Sequence, residues 1–145
     1  MRSTSLFVIL AALPAALGAQ AAPAAQARRA PAAASRWTRI GATAAGNPVF
    51  IDRRSVRREN GIVTATVRAT FNTPVRTPKG DVTSSRTIAM FDCAKRLVAV
   101  KENFLYHDER RGTVYEHRQP RVPGFGSVIR GTLPDVAMTH LCTTR

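Results

Sequence analysis

Residues 62–71 read IVTATVRATF, the longest strand signal in the chain. One side of this alternation is apolar and consists of Val63, Ala65, Val67, Ala69 and Phe71. The residues between them are threonines and Arg68. Because successive side chains of a β-strand point to opposite faces, the pattern predicts a strand with one buried and one solvated face. Half-buried strands of this kind are typical of antiparallel sheets.

Turn residues divide the flanking sequence into further strands. Gly46-Asn47-Pro48 precedes one of them, and Asn60-Gly61, which tolerates positive φ, predicts a hairpin turn into residues 62–71. Residues 72–83 hold two prolines and a glycine and are predicted to form a loop. The other predicted strands are residues 49–52, 86–92, 97–106 and 113–118. In residues 97–106 the large apolar side chains are expected on one face: Val98, Val100, Phe104 and Tyr106.

The C-terminal residues change from strand to helix periodicity. Residues 132–135, TLPD, are typical of a helix start, with Thr as the cap, Pro in the first turn and an acid near the positive end of the helix dipole. The apolar residues that follow at helical spacing are Leu133, Val136, Ala137 and Leu141. The sequence therefore predicts an α+β fold, with a single antiparallel meander of about 5–6 strands and one helix packed on it.

The chain has two cysteines, Cys93 and Cys142. An even count in an exported protein favours a disulfide over free thiols or metal ligands, and neither cysteine has the nearby His or Cys that zinc requires. A bridge between them would close a loop of about 50 residues and stabilise the fold by about 3–4 kcal/mol.

The N-terminal residues indicate export. Met1-Arg2 and the uncharged apolar run at residues 6–17 precede Ala19-Gln20-Ala21, so residues 1–21 are predicted to be a signal peptide. The Ala- and Pro-rich residues 22–36 lack the apolar side chains needed for a core and are predicted to be a disordered tether. Residues 37–145 then form one domain, with no transmembrane segment after signal cleavage.

The balance of charge is strongly basic. The chain carries 22 Lys and Arg against 9 Asp and Glu, a net charge of +13. Such a charge attracts anionic surfaces, although an arginine-rich composition can also reflect codon bias. The candidate polyanion contacts are Arg53, Arg54, Arg57, Arg58, Lys95, Arg96 and Lys101. The four arginines of residues 53–58 are expected on an exposed connector between strands: Arg53, Arg54, Arg57 and Arg58.

Signals for catalysis are weak. His107, His117 and His140 do not fall in a metal-binding motif, and the serines lack the context of a nucleophile elbow. We therefore expect a non-enzymatic protein without a cofactor or metal. Nucleic acid is not expected as a partner, because base-stacking aromatic residues would have to interleave with the arginines on one sheet face, and export also argues against it.

The arrangement of motifs resembles the surface-adhesin protein E family. The matching residues are Trp37, 49–52 (VFID), 55–58 (SVRR), Asn60-Gly61, 91–96 (FDCAKR) and Cys142. The resemblance spans nearly all of residues 37–142, and its most specific element is FDC with the late cysteine. It implies an extracytoplasmic bacterial protein with a small antiparallel sheet, a C-terminal helix and a Cys93–Cys142 disulfide. The family's named member binds host extracellular-matrix proteins.

Two functions are consistent with these observations. The first is an exported adhesin-like protein that binds a host extracellular-matrix protein, an anionic polysaccharide or lipopolysaccharide through a basic surface. The alternative is a periplasmic structural or envelope-stress protein with no adhesive role, in which the charge is incidental. The location is expected to be the periplasm, the cell surface or the medium.

Overall fold

A computed structural model describes residues 35–143 of the chain. The predicted signal peptide and all but the end of the predicted tether lie outside the described residues. The elements in chain order are β1 (Trp37–Ala42), β2 (Pro48–Glu59), β3 (Ile62–Val75), β4 (Val82–Asp92), β5 (Leu97–Asp108), β6 (Thr113–Arg118), β7 (Gly126–Ser127) and α1 (Leu133–Thr143).

The sheet is an antiparallel meander. Strands β1 to β6 are hydrogen-bonded neighbours in chain order, and the two-residue β7 pairs with the start of β5. Asn60 and Gly61 adopt φ angles of 49° and 79°, which the tight turn between β2 and β3 requires. The predicted α+β fold, with one antiparallel sheet and one C-terminal helix, is confirmed.

The core lies between α1 and one face of the sheet. Val63, Ala65 and Val67 of β3 are buried there, as the alternation predicts, and they pack with Ala137 and Leu141 of the helix. Met138 is also buried, although it was not among the predicted helix-face residues. Within residues 35–143, no helix is long and apolar enough to cross a membrane.

The start of the helix is fixed by two polar side chains. The helix begins at Leu133, directly after the predicted Thr132 cap. The Thr132 hydroxyl donates backwards to the Ile129 carbonyl oxygen, and the Asp135 carboxylate accepts a hydrogen bond from the Gly131 N–H at 2.8 Å. Asp135 therefore does more than complement the helix dipole, since it also closes the turn before the helix.

The predicted disulfide is present. Cys93 follows β4, Cys142 lies near the end of α1, and their Cα atoms are 5.5 Å apart. The bridge ties the C-terminal end of the helix to the turn between β4 and β5.

The prediction that the four arginines lie on a connector is wrong. β2 continues through them to Glu59, and four residues, 53–56, bulge out opposite Ala65 alone. The Asp52 carboxylate accepts the Arg54 N–H at 3.0 Å, and Ser55 Oγ accepts the Thr66 N–H at 2.8 Å. These side-chain acceptors replace the missing ladder partners, so the chain stays in the sheet.

The prediction of a single apolar face on β5 is also wrong. Val100 pairs with Ala89 but Glu102 pairs with Ile88, so Lys101 is an extra bulged residue. A one-residue bulge exchanges the two faces of a strand. Val98 therefore packs with the helix-side core, whereas Phe104 lies on the opposite face of the sheet.

Two further differences concern strand ends. Residues 37–42 form β1, an edge strand that the sequence pattern did not predict. The predicted loop at residues 72–83 is shorter, because β3 extends to Val75 and β4 begins at Val82.

Candidate functional site

The face of the sheet opposite the helix carries a continuous row of cationic and aromatic side chains. Direct cross-strand pairing places one residue from each of β1 to β6 side by side: Arg39, Phe50, Arg68, Arg86, Phe104 and His117. We call this set the arginine–aromatic row. Paired residues of antiparallel strands have neighbouring Cβ atoms, so the six side chains lie side by side on one face of the sheet.

Ring contacts hold the two central arginines in place. The Arg68 guanidinium carbon lies 4.7 Å from the centroid of Trp37 and 4.8 Å from that of Phe50. The Arg86 guanidinium carbon lies 4.8 Å from Phe104 and 5.2 Å from Tyr106. Each arginine is therefore held by two rings, which limits its rotamer freedom and leaves the edge of the guanidinium to form hydrogen bonds.

The two central arginines of the row, Arg68 and Arg86, also line a cavity of about 390 Å³, which we call the arginine pocket. Its lining residues are Arg36, Trp37, Arg68, Thr70, Thr83, Ser84, Arg86, Asp108, Glu109 and Arg110. Four arginines thus face two carboxylates, so the pocket has an excess of positive charge. Its volume is within the range of small-ligand sites, from about 300 to 1,000 Å³.

Glu109 partly neutralises this charge. Its carboxylate lies 3.6 Å from Arg68 Nη1 and accepts a 3.4 Å hydrogen bond from Ser84 Oγ. Both contacts are long. Among the described residues, the buried Arg68 Nε has no hydrogen-bond partner. An arginine beside one distant carboxylate retains donors for another acidic group.

Tyr106 pairs with the pocket residue Ser84 across β4 and β5 and is 3 % exposed. Burial raises the pKa of the Tyr106 phenol above 10.0, and the nearby Arg86 charge opposes that rise. The phenol therefore stays neutral at physiological pH and serves as a stacking surface.

Arg36 connects the rim of the pocket to the bulge in β2. Its Nε donates to Asp52 Oδ2 at 2.6 Å, and the Asp52 residue is 2 % exposed. The same carboxylate accepts the Arg54 N–H. A single buried acid thus links a pocket arginine to the bulge that contains Arg53 and Arg54.

The seven predicted contact residues do not line the arginine pocket. Arg53 and Arg54 are exposed in the β2 bulge, and Arg57 folds back onto the carbonyl oxygens of Arg54 and Val56. Arg58 reaches the helix, where its Nη2 donates to the Leu141 carbonyl oxygen. Their role as polyanion contacts stays a prediction.

The remaining three predicted contacts are also spread over the surface. Lys95 lies 3.9 Å from Asp92, Arg96 lies 3.7 Å from Asp135 of the helix, and Lys101 is the bulged residue of β5. Arg58 and Arg96 therefore contact the helix near its two ends.

The residues that sequence reasoning missed are Arg36, Arg68, Arg86 and Arg110. The sequence pattern assigns Arg68 to the solvated side of the long strand and Arg86 to the first position of another strand, with no binding role for either. The available signal was the alternation itself, because it put Arg68 on the face opposite the core. The register of β3 against β4, which sets Arg68 beside Arg86, cannot be predicted from the alternation.

The histidines have local partners. His117 Nε2 lies 2.8 Å from Glu102 Oε1, and its ring stacks on Phe104 at 4.2 Å. His107 Nδ1 lies 2.7 Å from the Asp81 carbonyl oxygen. Across the described residues, no group of three or more His, Cys, Asp or Glu is arranged to hold a metal ion.

Comparison with solved structures finds Haemophilus influenzae protein E. Haemophilus influenzae protein E in crystal form II aligns with a TM-score of 0.50 and 16% identity, over 75% of this chain and 88% of that one. Its selenomethionine form aligns with a TM-score of 0.48 and 17% identity, over 76% and 88%. At 16% identity, the alignment with crystal form II supports a shared fold and nothing more.

The comparison of sequences adds the family. No curated protein matches the chain significantly. The family model described as "Surface-adhesin protein E" matches residues 37–143, which is well over half of the chain. It covers every strand, the helix and both cysteines. The chain therefore belongs to the surface-adhesin protein E family.

Proposed function

We propose that the protein is an exported, non-enzymatic, adhesin-like protein that binds acidic macromolecules through a basic surface centred on the arginine pocket. The observation that carries this proposal is the arginine–aromatic row, in which Arg68 and Arg86 are each held by two rings on the helix-free face of the sheet. Membership of the adhesin family supports the same class of function.

The chemistry of the pocket favours carboxylate or sulfate groups. A guanidinium presents paired N–H donors that match both groups, and fixing it against rings lowers the entropy lost on binding. Trp37 adds a flat apolar wall between Arg36 and Arg68. A sulfated or uronic-acid sugar has both a ring to stack and acidic groups to pair.

The expected partners are therefore a host extracellular-matrix protein, an anionic polysaccharide or lipopolysaccharide. All three are found outside the cytoplasm, which agrees with the predicted signal peptide at residues 1–21. Nucleic acid is not proposed, because export separates the protein from it. The exposed Arg53 and Arg54 provide a second candidate contact for the same partners.

Matched charge variants test which surface binds. Arg68→Gln/Arg86→Gln removes two charges from the pocket, and Arg53→Gln/Arg54→Gln removes two charges from the β2 bulge. Heparin affinity is measured for both over a salt series, since exposed charges are screened beyond about 8 Å at physiological ionic strength. We expect the pocket variant to lose about tenfold or more in affinity, and the bulge variant to lose a few-fold at most.

Two results would count against the proposal. If neither variant differs from the native chain, the binding is non-specific attraction to net charge. If the native protein does not bind heparin or matrix proteins at physiological salt, the proposed adhesin-like role is refuted.

The alternative is a periplasmic structural or envelope-stress protein. It is favoured by Arg58 and Arg96, because those two members of the predicted cluster contact the helix. Cell fractionation distinguishes the two proposals, since adhesion requires a surface or secreted location.

A further inference from the structure

The segment between β6 and α1 exposes large apolar side chains. Val122 is 83 % exposed, Ile129 73 % and Phe125 44 %. All three lie in residues 119–130, which we call the apolar loop. Single exposed apolar residues are ordinary, but three within eight positions of one short segment indicate a contact surface.

The apolar loop is held firmly to the domain. Gly126 and Ser127 form β7 and pair with Val98 and Leu97 of β5. Val128 packs against the core. Beyond the loop, the Gly131 carbonyl oxygen accepts the Ala44 N–H at 2.8 Å. The second half of the apolar loop, from Gly126 onwards, is therefore anchored to the sheet and the core.

The charge around the loop is positive. Arg121 and Arg130 belong to the loop, and Lys101 lines the same cavity as Arg121, Pro120 and Pro123. Among the ion pairs of residues 35–143, none includes any of these three cations.

Acidic groups near the loop are few. Residues 117–134 contain neither Asp nor Glu. Glu102 lines the cavity beside Lys101, and its carboxylate is 2.8 Å from His117 Nε2. Glu116 is bound by Arg118 at 2.7 Å.

We propose that the apolar loop docks the protein on an anionic lipid bilayer. Val122, Phe125 and Ile129 would enter the boundary between headgroups and acyl chains, while Arg121, Arg130 and Lys101 contact headgroup phosphates. Apolar side chains flanked by cations favour this partner over a dissolved polyanion, because a polyanion offers no apolar phase to bury them. The inference does not depend on the arginine pocket.

Vesicle flotation tests the proposal. The protein used begins after Ala21, because the apolar run at residues 6–17 would itself bind lipid. Vesicles of phosphatidylcholine with phosphatidylglycerol are compared with phosphatidylcholine alone. We expect Val122→Ser/Phe125→Ser/Ile129→Ser to lose about tenfold or more in partitioning to the anionic vesicles, as the side chains no longer reach an apolar phase.

Controls separate this effect from general loss of surface hydrophobicity. Val75 and Val114 are also exposed, at 53 % and 43 %, and lie outside the loop. Val75→Ser/Val114→Ser should partition like the native protein. Arg121→Gln/Arg130→Gln should weaken binding to anionic vesicles and leave the weak binding to phosphatidylcholine unchanged.

The proposal is overturned if the native protein does not bind anionic vesicles or if the loop and control variants partition equally. It is also overturned if the loop variant changes only the oligomeric state, measured by sedimentation equilibrium. That last outcome would assign the loop to contact with a second copy of the chain.

Discussion

Arg58 donates a hydrogen bond from Nη2 to the carbonyl oxygen of Leu141 at 2.9 Å, joining β2 to the last turn of the helix across 83 residues of sequence. The final carbonyl groups of a helix have no partner within the helix, and a cation near them is favoured by the helix dipole. One arginine of the predicted polyanion cluster therefore stabilises the fold.

Removing this contact should destabilise the domain. Arg58→Gln is expected to lower the free energy of unfolding by about 1 kcal/mol, since a charged donor at the helix end is lost. Arg53→Gln, which removes an exposed charge from the same strand, is the control and should leave stability within about 0.5 kcal/mol of native. Urea unfolding followed by circular dichroism measures both. Equal losses in the two variants would mean that the helix contact contributes nothing specific.

Reduction of the disulfide should lower the free energy of unfolding more than loss of the Arg58 contact does. The Cys93–Cys142 bridge closes a loop with a sequence separation of 49, so its loss should lower stability by about 3–4 kcal/mol in the chain-entropy model. The measurement is urea unfolding of the native protein with and without reductant, with Cys93→Ser/Cys142→Ser as the matched variant. An unchanged midpoint on reduction would contradict the expectation.

The helix lies close to β1 at Gly41. A Cβ atom at this position would lie 2.9 Å from Cγ1 of Val136, which is too close. Gly41→Ala should therefore destabilise the domain by about 1–3 kcal/mol, because the helix or its side chain must move. Val136→Ala in the same chain removes the clashing methyl group, so the double variant should recover part of that loss. Strict additivity of the two changes would show that the two residues do not contact each other.

Stability should fall at alkaline pH partly because of Tyr106. Burial raises its folded pKa above 10.0, the value of an unperturbed phenol. Below pH 10 the phenol is neutral in both states and the stability is fully present. As the pH rises from there through the folded pKa, the unfolded chain ionises first and stability is lost. Tyr106→Phe should remove this part of the alkaline slope. Phenolate absorbance and urea midpoints over the pH range measure it, and an identical slope in the variant would refute the assignment.

The strand register next to each turn can be predicted from the sequence. Asn60-Gly61 fixes Glu59 opposite Ile62, and that pairing is observed. Extending it without interruption would pair Phe50 with Phe71. The bulge at residues 53–56 moves Phe50 opposite Arg68 instead. The size of this bulge depends on Asp52 accepting the nearby Arg54 N–H and on Ser55 accepting the Thr66 N–H of β3. No local sequence pattern predicts the second of these contacts.

The candidate site could not be predicted from the sequence for the same reason. Continuing the pairing of Asp92 with Leu97 would set Arg86 opposite Asn103, but the bulge at Lys101 brings Phe104 there. The alternation of residues 62–71 predicted the core correctly, because burial requires a period of two on one strand. The arginine–aromatic row depends on six strands in register, so it appears only once the sheet is assembled.

Acidic ligands are proposed to occupy the arginine pocket, and Trp37 is placed to report their binding. It is the only tryptophan in the chain, and it lines the pocket beside Arg68. The measurement is tryptophan fluorescence during titration with a heparin oligosaccharide at physiological ionic strength. We expect a saturable change in the native protein and in Arg53→Gln/Arg54→Gln, with at least about a tenfold weaker midpoint in Arg68→Gln/Arg86→Gln. Binding without any change in Trp37 fluorescence, or equal midpoints in the two variants, would contradict it.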